Sequence, residues 1–212
     1  VLGAVPLLTD SPGLAQPVCE PAQTWLIPDG SVAISRAIAM SGDTLTMHRW
    51  LLCGSGCQQG MVDVFGRSGI GDEWTLRQTL IVPDGNDQSF GWSIAISGDT
   101  MVIGRPLDNV AGNASGSAYV FVRTGCDQWE FQQKLMPTNG AGNDGFGDTL
   151  AAAGDTIVIG ASGTDHPPPG PTNRGSAYVF TRNKEVWSQQ QEIIPPAEPA
   201  GSTIFHFGDS LT

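Results

Sequence analysis

The chain has 212 residues, with 21 acidic against 10 basic side chains and a formal net charge of −11, a balance that argues against a nucleic-acid partner. Its 28 glycines and 15 prolines interrupt the stretches in which long helices could form, so the composition points to short strands joined by turns. No run approaches the roughly eighteen apolar residues of a membrane span, and none is expected in this segment.

In chain order, Val1 to Leu8 is apolar and leads into a small-residue stretch with Gly13 and Ala15. Residues 1–20 therefore read either as the remnant of a signal peptide or as an unstructured tail. Gln23-Thr24-Trp25-Leu26-Ile27-Pro28-Asp29-Gly30 aligns with Gln78-Thr79-Leu80-Ile81-Val82-Pro83-Asp84-Gly85. Cys53 and Cys57 flank Gly54-Ser55-Gly56, a flexible span that can bring the two within disulfide reach, and no second Cys or His pair stands at zinc spacing. This predicts a disulfide and an oxidising, secreted setting; Cys19 and Cys126 are left unassigned. Asn113-Ala114-Ser115 is a glycosylation sequon in a loop, with Asn113 as the acceptor.

The dominant signal is an internal repeat. Phe90-Gly91-Trp92-Ser93-Ile94-Ala95-Ile96-Ser97-Gly98-Asp99-Thr100 returns 56 residues later as Phe146-Gly147-Asp148-Thr149-Leu150-Ala151-Ala152-Ala153-Gly154-Asp155-Thr156, and Ala37 to Thr44 is a weaker copy. Gly116-Ser117-Ala118-Tyr119-Val120-Phe121 returns as Gly175 to Phe180, with Met61 to Phe65 as its divergent sister. The units run at about 34–89, 90–145 and 146–206, another begins at Phe207-Gly208, and residues 21–212 form one repeat array.

Each unit predicts four antiparallel strands. In the second unit these are Trp92 to Ser97, Thr100 to Gly104 after a Gly98-Asp99 turn, Ser117 to Val122, and Trp129 to Leu135. Trp recurs with Gln four residues later at Trp74, Trp129 and Trp187, and strict alternation places both side chains on one face. One such sheet cannot cover both its faces, and stacking successive sheets about an axis gives a β-propeller. A β-sandwich is the rival, but it supplies no reason for so regular a period. Small residues at Ser93, Ala95, Ala151 and Ala153 suit the crowded innermost strand.

The series Phe-Gly-x-Ser, Ala-Ile-Ser-Gly-Asp-Thr, Val-Ile-Gly, Gly-Ser-Ala-Tyr-Val-Phe and Trp-x-x-x-Gln resembles the FG-GAP repeat, the blade of integrin α-subunit propellers, over residues 34 to 212. Phe90, Gly91, Phe146, Gly147, Phe207 and Gly208 are its namesake pairs. The first unit departs from it, with Ile34-Ser35 in place of Phe-Gly and His48 in place of Gly104 and Gly160, which predicts a first blade that is distorted or that reads differently at the surface. The resemblance implies a calcium loop between the first two strands. Here that place is held by two-residue turns with one carboxylate each, too few for an ion that takes six to eight oxygens, so no cofactor is expected. Asp84, Asp87, Asn143 and Asp144 in the loops entering the blades are weaker calcium candidates, with ordinary turn chemistry as the alternative.

No catalytic constellation assembles from His48, His166 and His206, and the chain is expected not to be an enzyme. The resemblance implies a secreted or cell-surface module that binds an extracellular protein or glycan in an adhesion-like role. An accessory propeller of a larger extracellular enzyme and a purely architectural surface protein are the alternatives. Three units are fewer than a closed propeller needs. Missing blades from a longer chain, or self-association through exposed blade faces, are the expected remedies, with the N-terminal strand completing the last blade. The stiff loop around Asp165-His166-Pro167-Pro168-Pro169 reads as a recognition loop or a spacer.

Overall fold

The computed structural model describes residues 36–53, 57–85, 89–125, 128–165, 174–196 and 207–208, with the backbone alone for 51–53 and 57–58. Twelve strands account for the regular structure, and no described residue is helical. The first sheet holds β1 (Ile38–Ser41), β2 (Thr44–Cys53), β3 (Cys57–Gly66) and β4 (Thr75–Ile81). The second holds β5 (Ile94–Ser97), β6 (Thr100–Arg105), β7 (Ser117–Thr124) and β8 (Gln128–Leu135). The third holds β9 (Leu150–Ala153), β10 (Thr156–Ala161), β11 (Ser176–Asn183) and β12 (Val186–Ile193). Within each sheet the strands follow chain order and pair antiparallel.

The sheets stack face to face. Val62, Val64, Leu80 and Val82 of the first pack on Phe90, Met101, Ile103, Tyr119, Phe121 and Trp129 of the second. The other face of the second sheet, with Ala95, Val102, Ala118, Val120 and Leu135, packs on Phe146, Leu150, Ile157, Ile159, Tyr178, Phe180 and Trp187 of the third. The innermost strands β1, β5 and β9 lie next to one another. The result is three blades of a propeller in an arc that does not close.

One expectation is overturned. Trp and Gln of the fourth strand face opposite ways, because every fourth strand carries a β-bulge. Val120 pairs with Gln133 while Phe121 pairs with Phe131, so Gln132 is the extra residue; Arg77 and Gln190 take that place in the first and third sheets. A bulge inserts one residue and reverses the alternation beyond it. Trp129 therefore packs toward the first sheet and Leu135 toward the third, while Phe131 is 45% exposed.

Of the two expectations for the first blade, a distorted sheet or a different surface, the sheet itself keeps the regular four-stranded pairing. His48 fills the place of Gly104 and Gly160, and its ring lies against Gly91 of the next sheet, whose φ of +90° suits glycine. In the other seam, glycine meets glycine: a Cβ on Gly104 would fall on the Gly147 carbonyl and the Ser93 hydroxyl. The first sheet differs instead at its loop end, where β2 and β3 extend into a long hairpin that sets the backbone of Cys53 opposite Cys57. Their side chains, and Cys19 and Cys126, lie outside the described residues.

Candidate functional site

The seams between blades are built from the repeated polar residues. The carboxamide of Gln78 donates to the Trp129 carbonyl (2.9 Å) and accepts from the Trp129 N–H (2.7 Å), and Gln133 treats Trp187 in the same way (2.8 and 2.9 Å). The Trp-x-x-x-Gln motif is thus a clamp that reaches from one blade to the next. A second repeated device runs through Asp, Arg and Trp within each blade. Arg67, Arg123 and Arg182 pair with the turn aspartates Asp43, Asp99 and Asp155 and lie over Trp74, Trp129 and Trp187, 4.7 to 5.1 Å from the ring centres. Arg123 also donates to the Thr44 hydroxyl and Arg182 to that of Thr100, each one blade back. Sequence reasoning missed these arginines, although their recurrence at the end of the third strand was readable.

The opposite end of each sheet carries the connection between the second and third strands and the crossing to the next blade. In the second blade this connection, residues 106–116, is anchored from below. Asp108 is buried and accepts from the Ser117 hydroxyl (2.7 Å), and it pairs with Arg105 (3.4 Å) and with Lys134 (2.7 Å). Ser115 is buried too, with its hydroxyl donating to the Asp108 carbonyl and accepting from the Ala111 N–H. Asp84, arriving from the first blade, pairs with Lys134 (2.6 Å) and Arg105 (3.1 Å) and accepts from the Tyr119 hydroxyl.

Burial would raise both carboxyls, but hydrogen bonds from Lys134, Tyr119 and Ser117 and the charges of Lys134 and Arg105 outweigh it, leaving Asp84 and Asp108 below the usual carboxylate range. Lys134 is pushed up by the same partners against the desolvation that opposes it. Tyr119 is pushed up by burial and by its bond to Asp84. Acids and bases are thus locked in their charged forms, with the phenol protonated between them.

The third blade keeps the geometry with other charges. Asn139 stands where Asp84 does and donates to Glu192, which stands where Lys134 does; Glu192 in turn accepts from Ser176 and Tyr178. Burial and the Glu192 charge push Tyr178 up.

Above this anchorage Leu107, Asn109, Val110, Ala111, Gly112 and Asn113 are exposed, with Leu107 at 47% and Val110 at 43%. Ile81 and Met136, which follow equivalent points of β4 and β8, are exposed at the same end. Among the sequence candidates for calcium, Asp84 is held by two cations and a phenol. Asp144 is buried and accepts from the Ala141 N–H, and Asn143 adopts φ +68°. Asp87, His166 and His206 lie outside the described residues. The acceptor Asn113 is exposed, while Ser115 of the same sequon is buried.

The pattern that defines the FG-GAP repeat matches residues 74–121 and 129–180. The chain carries FG-GAP repeats. Each match begins at the Trp of a fourth strand and ends in the third strand of the next blade, so an FG-GAP unit spans a seam and contains the clamping Gln together with the Phe-Gly pair. No curated protein matches the chain. None of the described residues forms a helix long and apolar enough to cross a membrane.

Proposed function

We propose that this FG-GAP protein is a non-catalytic recognition module, secreted or displayed at the cell surface, which binds an extracellular protein or glycan through the loop-bearing end of its blades. The observation that carries this reading is the contrast within residues 105–117. The feet of the connection, Arg105, Asp108, Ser115 and Ser117, are buried and bonded, whereas its tip presents apolar Leu107 and Val110 beside polar Asn109 and Asn113. A loop held in one conformation loses little entropy on binding. Ion pairing throughout the charged network favours a supporting role for it, because each carboxylate already has a cation and a hydrogen-bond donor. A disulfide between Cys53 and Cys57 and a glycan on Asn113 belong to the same extracellular reading.

The test is binding of the immobilised chain to a glycan array and to a panel of purified extracellular-matrix proteins, compared with a Leu107→Ser/Val110→Ser variant. The reading expects at least one saturable ligand whose binding falls about tenfold or more in the variant while the melting temperature is unchanged. Retention of every interaction by the variant would reject this surface, and an absence of saturable ligands from both sets would reject the recognition role.

A further inference from the structure

The segment that leaves β8 for the third blade holds the one Asn-Gly dipeptide of the sequence, Asn139-Gly140. Residues 137–140 form a turn in which the Gly140 N–H reaches the Pro137 carbonyl at 3.4 Å, a long contact that holds the amide only loosely. The turn needs glycine, because a Cβ on Gly140 would fall 2.8 Å from the Pro137 ring. The Gly140 nitrogen therefore has no side chain beside it, and Asn139 next to it is exposed. Asn109, Asn113, Asn143 and Asn183 are exposed as well, but each is followed by a residue whose side chain crowds the next backbone nitrogen.

What the Asn139 side chain faces gives the position its consequence. Its amide donates to Glu192 Oε2 (3.0 Å) across the second seam, while Glu192 Oε1 accepts from the hydroxyls of Ser176 (2.7 Å) and Tyr178 (3.2 Å). The same turn sends the Thr138 N–H to the Gln189 carboxamide (2.9 Å), so both of these hydrogen bonds run to β12. At the first seam the equivalent residue is already an acid, Asp84, but it meets the ammonium of Lys134 (2.6 Å). An acid at position 139 would meet a carboxylate instead.

We infer that Asn139 is a site of spontaneous deamidation, and that the acid formed there, facing Glu192, loosens the second seam at its loop end. The Gly140 nitrogen gives up its proton to solvent and attacks Asn139 Cγ. The new N–C bond closes a succinimide, and the side-chain nitrogen takes up a proton and leaves as ammonia. Water then opens the ring at either carbonyl, which yields aspartate or isoaspartate; in sum water is consumed and ammonia released, with no oxidant or reductant. Either product replaces the donating amide by a carboxylate, so Glu192 Oε2 exchanges a hydrogen bond for a like charge. The Thr138 N–H is left to tie the turn to Gln189.

The test holds the full chain in mildly alkaline buffer at physiological temperature beside a synthetic peptide of residues 135–142, and follows both by peptide mapping with mass spectrometry. The inference expects Asn139 to convert in the folded chain on the timescale of the peptide and ahead of Asn109, Asn113, Asn143 and Asn183. The aged chain, and an Asn139→Asp variant that carries the acid without isoaspartate, should both melt about 3 °C or more below the fresh parent. Glu192→Gln removes the facing charge, so Asn139→Asp in that background should lower the melting temperature by less than about 1 °C. An Asn139 that stays an amide in the folded chain while the peptide converts overturns the site. Unchanged melting of Asn139→Asp, or an equal loss with and without the Glu192 carboxylate, overturns the consequence assigned to it.

Discussion

The seam between the first and second blades and the seam between the second and third are built to one plan with different materials. Both have the Gln clamp, the arginine reaching back to a threonine and a Phe ring inserted under the third strand. At the second seam the innermost backbones touch through Gly104 and Gly147; at the first, His48 replaces the glycine and fills the space against Gly91. The loop end differs in sign, with Asp84 and Lys134 across the first seam and Asn139 and Glu192 across the second. What is common to both seams is backbone recognition and apolar burial. What varies is the side-chain chemistry laid over it.

The largest effect that separates the seams is steric. Gly104→Ala should destabilise the chain by about 3 kcal/mol or more, because the new methyl meets the Gly147 carbonyl backbone and cannot be accommodated by a rotamer change. Urea unfolding measures it, and a loss below 1 kcal/mol would mean that close glycine contact does not hold the second seam.

The next effect belongs to the first seam alone. His48 is 1% exposed, and neither ring nitrogen has a hydrogen-bond partner among the described residues. Burial, with the Arg36 charge adding to it, pulls its pKa down to about 4 from the ordinary 6.5. Because the folded value lies below the unfolded one, the unfolded chain binds the proton more tightly. The stability is fully present above about pH 6.5 and is lost as the pH falls toward 4, by roughly 3 kcal/mol at full protonation. Asp84 and Asp108, also lowered in the fold, lose their contribution only as the pH falls below the ordinary carboxyl value of 3.8. His48→Leu should therefore flatten the stability profile between pH 6.5 and 4 and leave the steeper acid limb; an unchanged slope in that window would clear His48 of the role.

The clamps should cost the same at both seams. Gln78→Ala and Gln133→Ala each remove two hydrogen bonds to a Trp backbone, for about 2 kcal/mol apiece. Unequal losses differing by more than about 1 kcal/mol would show that the shared plan is only geometric. The smallest contrast is electrostatic. Lys134→Met leaves Asp84 and Asp108 without their ammonium and should cost about 1.5 kcal/mol, whereas Glu192→Gln keeps its acceptor oxygen and should cost under about 0.5 kcal/mol. Equal effects of the two variants in thermal unfolding would remove the distinction between the loop ends.

The fold was legible because the repeat is long and its turns are marked. Gly98-Asp99 and Gly154-Asp155 fix the first hairpin of each blade, and the alternation in Ser117 to Phe121 fixes the third strand. The direction of the Gln side chains was not legible, since the bulges at Arg77, Gln132 and Gln190 carry no sequence mark of their own and reverse the faces that strict alternation assigns. The role of Asp84 was half legible. Its place in a turn was clear, but its partners Lys134, Tyr119 and Arg105 come from three strands of the next blade and meet only in the fold. The fit of His48 against Gly91 was hidden for the same reason, because neither residue alone reveals that the other stands opposite.

The central claim is that the repeated glutamines join one blade to the next by gripping a tryptophan backbone. Amide hydrogen exchange at Trp129 and Trp187, measured in the parent and in Gln78→Ala, tests it most directly. The account predicts slow exchange at both amides in the parent and acceleration at Trp129 alone in the variant. Rapid exchange at Trp129 in the parent, or protection that survives loss of the Gln78 carboxamide, would contradict it.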